Sequence, residues 1–80
     1  MGKWEKLIAD ILRRDKNLRF QDLCKAMLQM GYTMRQPKGG SSHYTFRKTG
    51  CMPVTIPKHS PINMAYIEMV ARIVESSLEG

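Results

Sequence analysis

Two hydrophobic periods divide the chain. Trp4, Leu7, Ile8, Ile11 and Leu12 fall at i, i+3, i+4, i+7 and i+8. That spacing predicts one stripe of an amphipathic helix over about residues 3–14, with Lys6, Asp10, Arg13 and Arg14 on its other face. Asp15-Lys16-Asn17 ends it. Phe20, Leu23, Cys24, Met27 and Leu28 repeat the spacing and predict a second helix over about 20–30. Gly31 follows the last periodic residue and reads as its C-terminal cap. Met27, Met30 and Met34 read as adaptable packing rather than a metal-binding group.

From residue 32 the period becomes two. Tyr32-Thr33-Met34-Arg35-Gln36, Ser42 to Arg47, and Met52-Pro53-Val54-Thr55-Ile56 each alternate apolar and polar, which predicts three short strands. Pro37-Lys38-Gly39-Gly40 and Lys48-Thr49-Gly50 are the turns between them, short enough for an antiparallel meander. Pro53 cannot donate to a ladder, so the third strand belongs at an edge. Tyr32, Met34, Tyr44, Phe46, Met52, Val54 and Ile56 then make an apolar sheet face. Thr33, Arg35, His43, Thr45, Arg47 and Thr55 make the other. After a rigid loop, Asn63 can cap a helix over about 64–78. Ile67, Val70, Ala71, Val74 and Leu78 give that helix its stripe, and Met64, Tyr66, Met69 and Ile73 widen it. The breadth predicts a second neighbour, for example another subunit. The expected fold is a single α+β domain of order ααβββα over residues 1–80, with a three-stranded antiparallel sheet and helices on one face.

Composition narrows the class. Eighty residues with 42% hydrophobic content support one domain with a small core. No apolar run is long enough for a membrane span, and the N-terminus runs straight into charged residues, which predicts a cytoplasmic protein. Cys24 and Cys51 stand far apart and in no CxxC pattern; both are expected reduced, with Cys24 in the core. The net charge of +6 is unevenly placed. Between Asp22 and Glu68 there is no acid, while Lys25, Arg35, Lys38, Arg47, Lys48 and Lys58 fall in that interval. A basic middle around a glycine loop points to a polyanion such as RNA.

The polar sheet face holds one histidine. A half-solvated sheet normally exposes polar residues, so a hairpin strand with an exposed histidine is the plain reading. The absence of any acid to balance Arg35 and Arg47 departs from it. His43, Cys51 and His59 are eight residues apart in turn, which fits no zinc-finger or ribbon spacing, so no metal or cofactor is expected. Cys51 as a nucleophile would need His43 to reach it across the hairpin. RNA cleavage without a metal needs less. The 2′-hydroxyl is the nucleophile, a histidine moves the proton, and cations with glycine-loop amides hold the phosphate. His43, with Arg35, Lys38, Arg47 and the Gly39-Gly40 loop, supplies those parts.

Four segments together resemble the HicA family of toxin mRNA interferases. They are Phe20-x-x-Leu23, Leu28-x-x-Gly31-Tyr32, Lys38-Gly39-Gly40-Ser41-Ser42-His43-Tyr44-Thr45-Phe46 and Val54-Thr55-Ile56-Pro57-Lys58-His59, and the match covers roughly residues 18–75. The resemblance implies a fold like a double-stranded-RNA-binding domain and a metal-independent mRNA endonuclease held in check by a HicB-type antitoxin. It puts the catalytic histidine on His43, the preceding glycines on Gly39 and Gly40, and the proline-x-histidine element on Pro57 and His59. Two features depart from the pattern: an extra serine in Gly40-Ser41-Ser42-His43, and the added first helix. Arg35, Lys38, Gly39, Gly40, Ser42, Arg47 and Lys58 are the expected RNA contacts. Tyr44 and Phe46 are assigned to the core. His59 is expected to cap or orient the third helix, the other reading being a second acid or base. Two further function classes stand beside the nuclease: a non-catalytic RNA-binding module of the same fold, and a protein-interaction domain working through the last helix.

Overall fold

A computed structural model describes residues 2–36, 39, 42–59 and 61–79. Three helices and three strands follow in the order α1 (Lys3–Leu12), α2 (Phe20–Gln29), β1 (Thr33–Arg35), β2 (His43–Arg47), β3 (Val54–Pro57) and α3 (Met64–Glu79). The sheet is antiparallel with strand order β1-β2-β3, so β2 is central.

Helix ends follow from local chemistry. α2 starts where the Asp22 carboxylate reaches back to accept the Arg19 backbone N–H at 2.9 Å. It ends on Gly31, whose φ of +96° suits glycine. The Gly31 N–H reaches the Leu28 carbonyl and the Tyr32 N–H reaches that of Met27, which closes a Schellman motif. Lys48 adds to this end, its Nζ donating to the Met30 carbonyl at 2.8 Å while lying 5.6 Å from the Tyr32 ring centre. α3 starts at Asn63, whose Oδ1 accepts the Ala65 N–H at 2.8 Å.

α1 closes in the same way but without a glycine. Arg14 holds φ at +54°, and the N–H groups of Arg14 and Asp15 return to the carbonyls of Ile11 and Asp10. The left-handed backbone is unfavourable for a side-chain-bearing residue. Here the side chain is used. Arg14 donates to both oxygens of Glu68 at 2.7 and 3.2 Å, to both of Glu75 at 3.2 and 3.4 Å, and to the Leu12 carbonyl at 2.9 Å. It clasps the end of α1 to α3. These bonds raise the Arg14 pKa further, and they hold the Glu68 carboxyl at about 2, helped by Arg72.

One core joins the sheet to all three helices. Ile11, Leu23, Met27, Phe46, Ile56, Ile67, Val70 and Val74 are fully buried within it. Each such side chain stabilises the fold by about 1.5–3 kcal/mol relative to exposure. Tyr44 faces the same side, its ring 5.0 Å from that of Phe20. α1 packs on α3 as well as on α2, so the broad apolar face of α3 has α1 as a second neighbour within its own chain. Cys24 is buried, and burial pushes its thiol up to about 11.

Three expectations are corrected. Met52 is 83% exposed rather than on the apolar face. The turn through Gly50, with φ +81°, closes by a bond from the Cys51 N–H to the Lys48 carbonyl, and ladder pairing starts only at Val54. Leu28 is half-exposed, with Ala26 buried in the α2 interface instead. α1 stops at Leu12, short of residue 14, because the clasp reverses the chain there.

Candidate nucleic-acid interface

The sheet face away from the helices is set by register. Thr33 stands opposite Arg47, and Arg35 opposite Thr45, which in turn faces Thr55. His43 stands opposite Pro57. His43 and Arg47 therefore occupy the two ends of the central strand, and Arg35 sits one step diagonally from each. Diagonal neighbours of this kind lie roughly 7–8 Å apart, within reach of long side chains. His43, Arg35, Arg47, Thr33 and Thr55 are exposed, Thr45 half-buried. The three strands carry no acid.

Most of the described acids stand in the helical layer or the loop between its first two helices, and several are engaged there. Asp10 meets Lys6 and Arg13; Asp15 meets Arg13 and the Asn17 backbone; Glu68 meets Arg14 and Arg72. The Asn17 N–H and the nearby Arg13 lower the Asp15 pKa. The protein thus separates its charge between layers. Threonines, not carboxylates, stand opposite the sheet arginines. Such a face attracts phosphates and repels no anion of its own.

Gly39 lies in the β1–β2 turn with φ at +63° and open space around it. Lys38 and Gly40 lie outside the described residues, as does the extra serine, Ser41. Ser42 is half-buried, and its carbonyl accepts the Lys58 N–H at 2.7 Å. The charge of Lys58 is felt at the Cys24 thiol of α2, so this lysine works at the helix side of the sheet rim. His59 is exposed just beyond β3, its N–H bonded to the Pro57 carbonyl at 3.1 Å. The helix-capping place expected for it is filled by Asn63.

The pairing of Cys51 with His43 does not form. Cys51 follows the β2–β3 turn at one end of the hairpin, and His43 begins β2 at the other, on the order of 13 Å away along the strand. Cys51 instead neighbours Tyr32, whose pKa is raised first by burial and then by that thiol. Among the described residues, no three His, Cys, Asp or Glu side chains gather as metal ligands. No helix among them is long and apolar enough to cross a membrane. Two concavities belong to the helical layer. One of about 760 Å³ lies between α1 and α2, and an apolar one of about 330 Å³ lies between α1 and the end of α3; Trp4 borders both. Neither includes a residue of the sheet.

Sequence reasoning missed the roles of Arg14 and Lys48. The signal for Arg14 was a helix stop with no glycine at the position that needs a left-handed residue. No known family model, curated protein or solved structure matches the chain.

Proposed function

We propose that the chain is a HicA-like toxin ribonuclease with a double-stranded-RNA-binding-domain-like fold, acting on mRNA in the cytoplasm and restrained by a small HicB-type antitoxin. The observation that carries the reading is His43 on an exposed, acid-free sheet face with Arg35 one diagonal step away and Arg47 on its own strand. RNA brings its own 2′-hydroxyl nucleophile. The chain has to move protons and hold the phosphate. His43 moves a proton at the reacting 2′- or 5′-oxygen. Arg35 and Arg47 pair with phosphate oxygens. The Gly39 turn, together with Lys38 and Gly40, contributes donors that cradle the backbone.

Purified protein incubated with an mRNA transcript in EDTA tests this. Cleavage leaving 2′,3′-cyclic phosphate ends is expected, with a rate lowered about 10²–10⁴-fold in His43→Ala. RNA affinity should stay within about threefold of wild type, because phosphate contacts dominate it. Expression in a host should arrest growth for wild type and not for the variant. Absence of cleavage with RNA binding retained, and weakened in Arg35→Ala, would identify a non-catalytic RNA-binding module instead.

A further inference from the structure

We infer that His59 is a second proton-transfer residue, paired with His43 across the open end of the β2–β3 ladder. This rests on the nuclease reading above.

The ladder itself brings the two together. The bond from the Lys58 N–H to the Ser42 carbonyl, at 2.7 Å, extends the pairing one residue beyond β3. Ser42 and Lys58 thus form a hydrogen-bonded position, and His43 opposite Pro57 is the next, non-bonded one. Side chains stand closest at such positions, with Cα atoms about 4.5 Å apart. The proline is compatible with this place, since its missing N–H would point to the open edge. Two residues on, the His59 N–H turns back to the Pro57 carbonyl, which makes a tight three-residue turn rather than a strand running away. The Cα atoms of His43 and His59 then lie on the order of 8–10 Å apart. Two exposed imidazoles rooted at that distance can stand on either side of one phosphodiester.

Among the described residues, the cap of α3 is supplied without His59. Asn63 caps α3, and the Tyr66 N–H closes the first turn onto the Asn63 carbonyl. Among the described residues, the charged groups that strand register and the adjoining rim set nearest His43 are cations. Arg35 lies diagonal to His43, Arg47 farther along β2, and Lys58 at the rim toward Cys24. Ser42, Thr45 and Thr55 are neutral. The described carboxylate nearest in sequence, Glu68, is held in the helical layer by Arg14 and Arg72.

The chemistry needs both roles at once. One imidazole takes the proton from the 2′-hydroxyl as the 2′-oxygen bonds to phosphorus. The other, already protonated, gives its proton to the 5′-oxygen as the P–O5′ bond breaks. The products are a 2′,3′-cyclic phosphate and a 5′-hydroxyl, and proton exchange with water resets the pair. A single histidine would have to be base and acid in succession.

The test uses an mRNA transcript and an oligonucleotide with a bridging 5′-sulfur at the bond that wild type cuts. His59→Ala and His59→Gln should each lower kcat by about 10²-fold or more, with KM within about threefold. Melting temperatures close to wild type would show that both variants fold. The wild-type pH–rate profile should have two limbs, and His43→Ala and His59→Ala should each lose a different one. The sulfur leaving group, which departs without a proton, should restore one of the two variants and not the other. His59 variants with kcat within threefold of wild type, or loss of the same limb in both, would overturn the pairing while leaving the His43 reading intact. Wild type that cuts no RNA would overturn the nuclease reading and the pairing with it.

Discussion

β2 divides stability from function, and one substitution on each face measures the division. Phe46 is fully buried at the centre of the core, and it alternates with exposed His43 and Arg47. Truncating Phe46 to alanine removes the transfer free energy of a benzyl group and leaves a cavity, a loss of about 3–5 kcal/mol. A domain of 80 residues has about 4–12 kcal/mol in total. Phe46→Ala should therefore melt at least about 12 °C below wild type and leave part of the population unfolded at 37 °C. Phe46→Leu fills most of the space and should cost about 1–1.5 kcal/mol, or about 4–12 °C. His43→Gln changes an exposed side chain and should stay within about 0.5 kcal/mol. Thermal unfolding followed by circular dichroism reads all three. At a temperature where it is folded, Phe46→Leu should bind RNA as wild type does. If His43→Gln lowered the melting temperature more than Phe46→Leu, the division of β2 into a core face and a working face would be wrong.

Four further outcomes follow from the helix ends. Asn63→Ala removes the N-terminal cap of α3 and should cost about 1 kcal/mol in urea unfolding, with Asn63→Ser recovering most of it. Lys48→Met gives up the bond to the Met30 carbonyl and the contact with Tyr32, and should cost about 0.5–1.5 kcal/mol by the same measurement. The Arg14 clasp should weaken in acid. Glu68 titrates at about 2 in the folded chain, below its usual value of 4.5, so its contribution is complete above 4.5 and is lost as pH falls toward 2. Melts taken from pH 6 to pH 3 should fall more steeply for wild type than for Glu68→Gln. Arg14→Gly should be more stable than Arg14→Ala, because both lose the clasp but only glycine relaxes at positive φ.

The pattern of residues determined the elements by itself. Period 3.6 in the first thirty residues and period two in the next twenty-five dictate helix and strand, because each buries one face only. Gly31 and Asn63 mark helix ends through their own backbone and side-chain chemistry, which is local. The separation of Tyr44 and Phe46 from His43 is equally local, since alternation along a strand needs no partner. The tertiary structure decided whatever depends on who stands opposite. Met52 has the right parity for the core, yet it is exposed because the hairpin turn delays pairing to Val54. Arg14 reads as a surface residue of α1 until α3 brings Glu68 and Glu75 against it, from more than fifty residues away. Lys58 reads as a loop residue until its N–H meets the Ser42 carbonyl and carries the pairing one residue past β3. Spacing along the chain encodes which way a side chain points. Only packing across the chain encodes what it meets.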